Sequence, residues 1–283
     1  MTQFSALQHE ADGLSAGLPP LMVEADHLAA SVSLGVHGRR RAGIGESFWQ
    51  FRRYASPDSS AAIDWRQSAK SQHIFVRERE WEAAQTVWFW RDASANMSFK
   101  SGAVTKRTRA DLLLLALASL LVRGGERVGF AGMEGAPASS RLALTRIGRA
   151  MFASGRSALP PLVPFARGNQ LVWFSDFLDE EVFDAMKKQS ERGVEGHLVR
   201  IVDPAEEDFP YSGRTRFESP RGEQDEIFGR AERVRPSYRA RFTAHGERVA
   251  QAASRLGWTC TVHRTDHVPQ AVLIALHAAI GGT

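Results

Sequence analysis

Apolar and polar residues follow two periods along the chain, and these predict strands and helices in turn from residue 81 onward. Nearly continuous apolar runs, typical of strands covered on both faces, occur at residues 86–90, 128–130, 170–174, 197–202 and 259–262. Helical spacing marks the segments 111–122, 179–188, 236–256 and 269–280, whereas 142–152 fits neither period clearly. We therefore expect an α/β fold with a mostly parallel sheet and helices on both faces.

Two segments with other patterns precede the alternating strands and helices. Between residues 21 and 32, apolar side chains have helical spacing, which predicts a short amphipathic helix lying on the main domain. Residues 36–80 combine glycines with basic and aromatic residues, and this composition predicts loops and β-hairpins. The predicted organisation is an N-terminal extension with a short helix over 1–35, a basic and aromatic β-rich elaboration over 36–80, and an α/β domain over 81–283.

Composition and charge place the chain among ordinary globular proteins. Apolar residues make up 43% and aromatic residues 9% of the 283 positions, which is too much for a disordered chain. The single cysteine, Cys260, cannot form an internal disulfide. The sequence shows neither a signal-peptide pattern nor an apolar stretch of spanning length, so we expect a cytoplasmic protein without a membrane span. Lys and Arg exceed Asp and Glu by four, and this surplus lies within residues 36–80.

Two of the predicted strands run directly into an aspartate. The first continues into Asp92, Ser94 and Asn96, and the second continues into Asp176. Because ligands of open α/β sheets bind outside the carboxyl ends of the strands, these side chains are candidates for one site. Carboxylate and hydroxyl oxygens suit Mg²⁺ or another hard divalent ion. The same residue types are also common in turns that follow strands, so a purely structural role is the alternative.

Several segments of the chain resemble the domain of unknown function 58 family. These segments are residues 37–46, 48–54, 63–70 and 75–78, followed by Asp92 and Ser94. The resemblance is most specific between Tyr54 and Arg66. Members of that family look like von Willebrand factor A-type domains with an added N-terminal β-rich segment, and they are commonly encoded beside MoxR-type AAA ATPases. The resemblance implies a von Willebrand factor A-like, or Rossmann-like, sheet for this chain.

The resemblance also implies a metal-ion-dependent adhesion site. Asp92, Ser94 and Asn96 would hold its first three positions, and Asp176 would hold its later aspartate. Asn96 stands where the wider superfamily has a serine, so the site would be incomplete, with Mg²⁺, Mn²⁺ or Ca²⁺ as its ion. A carboxylate of a partner protein could fill the open positions on that ion. Metal-dependent hydrolysis is the other use of such an ion, but no general base is obvious near these loops.

The basic elaboration contains three consecutive arginines, Arg39, Arg40 and Arg41. Together with the nearby aromatic residues they could bind nucleic acid by charge and stacking. The alternative is a hairpin edge in which these arginines pair with Glu46, Asp58 or Asp64 and the aromatic rings fill a small core.

The triplet Asp64, Trp65 and Arg66 also has two interpretations. At strand spacing, the aspartate and arginine could tie a loop to the domain through a charged hydrogen bond. The triplet could instead contact an ATPase partner directly.

Taken together, these patterns and the resemblance predict a non-enzymatic protein-interaction or adaptor module. Its partner, implied by the resemblance alone, is a MoxR-type AAA ATPase that assembles or activates a protein complex. A nucleic-acid-binding module that uses residues 36–80 is the first alternative, and a metal-dependent hydrolase is the second. The sequence contains no Walker A motif, serine-hydrolase elbow or dinucleotide fingerprint, so those classes lose their usual support.

Overall fold

A computed structural model describes residues 19–33, 48–55, 63–79, 85–162, 168–220, 222 and 225–281. The chain divides into two compact units, one over Arg39–Ala84 and the other comprising Met1–Gly38 and Gln85–Thr283. The arginine run, Arg39, Arg40 and Arg41, lies outside the described residues together with Glu46 and Asp58. Both interpretations of that run therefore stay predictions.

Helix α1 covers residues 19–33 and belongs to the larger unit, as its helical spacing predicted. Its apolar face is buried in the core of that unit through Ala25, Leu28, Ala29 and Val32. On the same helix, the Asp26 carboxylate accepts a hydrogen bond of 2.6 Å from the Ser119 hydroxyl. It also forms ion pairs with Arg123 at 3.2 Å and with Arg141 at 3.5 Å. Helix α1 is therefore fixed to the larger unit by both apolar packing and charge.

The smaller unit contains the antiparallel pair β1, Phe48–Arg53, and β2, Phe75–Arg79. Between them lies the short helix α2, Trp65–Ser68, whose N-cap is Asp64. The Asp64 carboxylate accepts a hydrogen bond of 2.9 Å from the amide of Gln67. The expected strand spacing at Asp64, Trp65 and Arg66 is therefore wrong, because the aspartate begins a helical turn. Trp65 is 66% exposed and does not fill a core.

The larger unit is built on a parallel sheet. Its described strands are β3 Thr86–Arg91, β4 Arg127–Phe130, β5 Gln170–Ser175, β6 Glu195–Val202, β7 Thr215–Phe217, β8 Glu226–Phe228 and β9 Thr259–Arg264. The main sheet has the order β4-β3-β5-β6-β9, and every neighbouring pair is parallel. β7 and β8 form a separate antiparallel hairpin. All residues of β5 are buried, as the apolar run predicted for a strand covered on both faces.

Besides α1, the larger unit has helices in two groups around this sheet. They are α3 Lys106–Arg123, α4 Arg141–Ala153, α5 Glu181–Ser190, α6 Pro204–Asp208, α7 Arg235–Arg255 and α8 Pro269–Ile280. Helix α3 contacts α4 and α8, and α5 contacts α7. The predicted α/β fold is confirmed, and its sheet is consistent with a Rossmann-like or von Willebrand factor A-like domain.

Helix α3 is the central helix of this arrangement and positions the candidate site. It begins after Thr105, whose hydroxyl accepts a hydrogen bond from the Thr108 amide, and it ends at Gly124. Its residues are buried almost continuously from Ala110 to Leu121 because α1, α4, α8 and the sheet surround it. Since α3 follows β3, its first residue, Lys106, lies near the edge where the parallel strands end.

Gly196 in β6 leaves the space that the Trp258 ring fills. A methyl group at Gly196 would lie 2.0 Å from that ring, whose indole nitrogen donates a hydrogen bond of 3.1 Å to the Val194 carbonyl. Gly196→Ala should therefore lower the free energy of unfolding by about 1–3 kcal/mol through overpacking. Urea denaturation measures this loss. Gly229→Ala is the control, because a methyl group at that position meets no atom within 4 Å, and an equal loss in both variants would contradict the packing account.

Candidate functional site at the carboxyl end of the sheet

The loops that follow β3, β5 and β6 meet at one edge of the sheet. After β3 the chain continues to β4 on one side, whereas β5 lies on the other side of β3, so the strand order reverses between β3 and β5. Binding sites of open α/β sheets lie at such a reversal. Asp92 follows β3 and Asp176 follows β5, and the structure brings these two sequence-predicted residues together there.

Asp92 is buried, and both oxygens of its carboxylate accept hydrogen bonds. One oxygen accepts from the Ser94 amide at 2.7 Å, and the other accepts from the Ser175 hydroxyl at 2.7 Å. The loop around it is held by Arg107, whose guanidinium donates to the carbonyls of Ala93 at 2.7 Å and Ser94 at 3.0 Å. These bonds connect the loop after β3 both to β5 and to α3.

Asp176 is paired with a buried lysine that sequence reasoning missed. The Lys106 ammonium donates to one carboxylate oxygen of Asp176 at 2.9 Å and to one of Glu206 at 2.5 Å. The Lys106 side chain is only 1% exposed. The other Asp176 oxygen accepts a hydrogen bond of 3.1 Å from the Leu178 amide. Lys106 is therefore the central cation of this edge of the sheet.

The pairing extends into α6 through Glu206 and Asp203. Asp203 begins α6, where its carboxylate accepts hydrogen bonds from the amides of Ala205 and Ser101, each at 2.9 Å. It also accepts one from the Ser101 hydroxyl. Glu206 reaches back to the Asp203 amide at 2.9 Å, which completes a capping box. One Glu206 oxygen thus caps the helix while the other binds Lys106.

Burial and neighbouring charges shift the pKa values of these groups. Burial and then Asp176 raise the pKa of Asp92 above its ordinary value, although the hydrogen bond from Ser175 opposes the shift. Burial also raises the pKa of Glu206, against the effect of Lys106. Burial lowers the pKa of Lys106, but Asp176 and Glu206 together outweigh it, so this pKa lies above the ordinary value. Lys106 therefore keeps its charge at neutral pH.

The contacts of the carboxylates at this edge favour a structural role over binding of a divalent ion. The carboxylate oxygens of Asp92 and Asp176 already accept hydrogen bonds from protein groups, and Lys106 supplies positive charge at Asp176. Within the described ranges, no group of three His, Cys, Asp or Glu side chains is arranged to hold a metal. Ser94 is buried, and Asn96 lines a neighbouring pocket. The metal site at these four predicted residues stays a prediction, and the contacts weigh against it.

An aromatic pocket of about 540 Å³ opens beside Lys106 and Glu206. Its rings come from the loop before α3, the loop after α6, the β7–β8 hairpin and α7, and they are Phe99, Phe209, Tyr211, Phe217, Phe228 and Tyr238. The Phe209 and Tyr238 rings have centroids 4.6 Å apart. Burial and then Glu206 raise the pKa of Tyr238 to about 12, so its hydroxyl stays protonated. The pocket is a largely apolar cavity with a few charged groups at its base, the usual form of a binding site.

Backbone strain is concentrated at this same edge. Among the non-glycine residues that the structure describes, positive φ values occur at Phe177, 56°, and Phe209, 45°. Phe177 directly follows Asp176, and its carbonyl contacts the His245 ring nitrogen at 2.7 Å. Phe209 caps α6 and lines the pocket. Left-handed conformations of bulky residues cost energy and tend to cluster at functional sites, which supports this edge as the candidate site.

A second cavity of about 830 Å³ lies toward β4 and α4. Its floor includes Trp90 and Phe130, and Arg146 lies at its side. The Arg146 guanidinium donates to the carbonyls of Glu134 at 2.6 Å and Ala136 at 3.3 Å. This arginine holds a loop, and the cavity has no counterpart of the Lys106 cluster, so the aromatic pocket is the stronger candidate.

The profile of the family described as protein of unknown function DUF58 matches residues 50–248. The chain belongs to the DUF58 family. Most of the segments that carried the resemblance lie inside this match, as do Asp92, Lys106, Asp176 and Glu206. Comparison with curated proteins gives no significant match.

Two solved structures are similar to this DUF58 chain. One is described as the conserved hypothetical protein BatB from Bacteroides thetaiotaomicron, with 13% identity and a TM-score of 0.40. The other is described as an aerotolerance-related membrane protein from Bacteroides fragilis carrying multiple mutations to serine, with 16% identity and a TM-score of 0.42. Each alignment covers 71% of this chain and 100% of the other. In the parts of this chain that the structure describes, no helix is long and apolar enough to cross a membrane.

Proposed function

We propose that this DUF58 protein is a non-enzymatic protein-interaction module and that its aromatic pocket receives an apolar side chain of a partner protein. The observation that carries the proposal is the pocket itself, a cavity of about 540 Å³ lined by aromatic rings at the reversal of strand order. Its edge includes Leu178, 41% exposed, and Phe99, 37% exposed. Deep apolar pockets of this kind bind the anchor residues that dominate protein interfaces.

The charged groups beside the pocket support a preformed binding site. Asp92, Asp176 and Glu206 accept hydrogen bonds from Ser175, Lys106 and backbone amides. These groups hold the loops in place around the pocket, and a preorganised pocket binds more tightly because less conformational entropy is lost on binding.

We infer that the partner is a MoxR-type AAA ATPase and that the module works with it in the cytoplasm, in assembling or activating a protein complex. This choice rests on the resemblance of residues 37–78 and Asp92 to a family commonly encoded beside such ATPases. The pocket requires that the ATPase present an exposed apolar side chain, since the lining rings offer few polar partners.

Leu178→Gln tests the pocket as the docking point. Replacing an apolar residue at the edge of the pocket should weaken binding of a purified MoxR-type ATPase from the same organism by about tenfold or more, a loss of about 1.4 kcal/mol or more. Isothermal titration calorimetry measures the change. Leu142→Gln is the matched control, because Leu142 on α4 is 68% exposed and lies outside the pocket lining.

Two outcomes would contradict this proposal. If the wild-type protein does not bind the ATPase, the partner is wrong. If Leu178→Gln and Leu142→Gln bind as tightly as the wild type while all three show the same thermal unfolding, the docking point is wrong.

A further inference from the structure

The buried ammonium of Lys106 lies between two carboxylates at the carboxyl edge of the parallel sheet. It is 2.9 Å from an Asp176 oxygen and 2.5 Å from a Glu206 oxygen. We propose that Lys106 is a built-in replacement for a divalent ion. In this proposal the site is metal-independent in the natural protein, and removal of the lysine side chain converts it into a site for a hard divalent cation.

The position of Lys106 shows that its charge is held there by specific pairing. Lys106 is the first residue of α3, a helix of 18 residues. Positive charge at a helix N-terminus opposes the helix dipole, and burial of an ammonium is costly. The contacts with Asp176 and Glu206, together with the Phe99 ring at 5.9 Å from the nitrogen, offset these costs. The two carboxylates are therefore what stabilises a buried lysine at this position.

The groups around the ammonium have the chemistry of a hard-cation site. Asp176 and Glu206 supply carboxylate oxygens, and Asp92 lies close enough to Asp176 for their charges to interact. The Ser94 hydroxyl is buried, with the whole residue 9% exposed, and it lies close enough to Asp92 to lower the pKa of that carboxyl. Carboxylate and hydroxyl oxygens of this kind are the preferred ligands of Mg²⁺, Mn²⁺ and Ca²⁺. Shortening residue 106 would leave the Asp176 and Glu206 oxygens without their cation.

The test compares Mn²⁺ binding by the wild type, Lys106→Ala and Lys106→Ser. Alanine vacates the space, and serine vacates it and adds an oxygen ligand. Electron paramagnetic resonance of Mn²⁺ at about 1 mM, the weak end of protein sites for hard cations, counts the bound ions. Thermal unfolding with and without the ion reports stabilisation. We expect no site-specific binding by the wild type, and one bound ion with a raised Tm for each variant.

Asp176→Asn, placed in the wild type and in both variants, identifies the site. It should abolish the gained binding while leaving unrelated surface binding unchanged. Mn²⁺ binding by the wild type that Asp176→Asn removes would overturn the proposal, as would folded variants that gain no binding. Variants that stay unfolded both with and without Mn²⁺ would also overturn it, because the ion must be able to replace the ammonium.

These measurements use the protein without a partner. Their result is therefore independent of the proposed ATPase interaction, and either proposal can fail alone.

Discussion

Lys106→Met should lower the free energy of unfolding by about 3–5 kcal/mol, the cost of removing one partner from a buried ion pair. Methionine preserves most of the side-chain volume, so loss of packing is a minor part of this effect. The ammonium is the cation that contacts both Asp176 and Glu206, and its side chain is 1% exposed. Without it, two buried carboxylates must either remain charged without that partner or take up protons. Guanidinium denaturation at neutral pH measures the loss.

Lys187→Met is the matched control for this substitution. Lys187 also pairs with a glutamate, Glu191 at 4.0 Å, but its side chain is 71% exposed. Exposed pairs of this spacing contribute only about 0.3–0.5 kcal/mol, so the control should unfold almost as the wild type does. A loss of less than about 1 kcal/mol in Lys106→Met would show that the buried pairing is not a major source of stability.

Between pH 7 and pH 4, His263 should reduce the stability of the folded protein by up to about 3 kcal/mol. Burial, then the charges of Arg109 and His267, lower the pKa of His263 from 6.5 to about 4, against the opposing effect of Asp266. The unfolded chain therefore takes up a proton at pH values where the folded chain does not. The stability is complete above pH 6.5 and is lost as the pH falls toward 4.

His263→Gln removes this titration, so its stability should fall less steeply than that of the wild type over the same pH range. Urea denaturation at several pH values gives both slopes. His27→Gln is the control, since His27 is exposed on α1 and is not among the groups that shift the pKa of His263. Parallel slopes for the wild type and His263→Gln would contradict the effect of burial on this pKa. The comparison isolates His263 from the carboxyls, such as Glu206, whose raised pKa acts in the opposite direction.

The sequence was sufficient to predict the sheet because buried parallel strands appear as apolar runs. β5 is the clearest case, since residues 171–174 are all apolar and the whole strand is buried. Helix α4 was not predicted clearly. Its apolar residues are interrupted by Arg146 and Arg149, which lie at the side of the second cavity. The spacing of apolar residues thus predicts a strand or helix well where its buried residues are not interrupted by charged ones.

The candidate site could be predicted only in part. Asp92 and Asp176 follow strands, and parallel topology brings such residues together. Lys106 had no local signal, because a lysine that begins a helix is ordinarily exposed and its burial here depends on distant loops. Glu206 had one: Asp203 and Pro204 followed by Glu206 form a capping-box pattern with proline at the first helical position. That pattern predicts the helix but does not predict the contact with lysine.

The aromatic pocket had no sequence pattern at all. Its rings are spread from Phe99 to Tyr238 over loops, a hairpin and a helix, with no shared period. Their convergence depends on how the segment after β6 folds back over the edge of the sheet. The spacing of residues along the chain does not report this convergence, so the pocket is recognisable only in the folded protein.

The limits of the DUF58 match differ from the limits of the folding unit. The match ends at residue 248, yet β9 completes the sheet beside β6, and α8 adds Val272, Leu273 and Leu276 to the core. The match begins at residue 50, after α1, which adds Leu28 and Val32 to the same core. A fragment trimmed to the match would expose one side of α3 and leave the edge of β6 unpaired. Recombinant fragments of this family should therefore be designed from the core and not from the aligned residues.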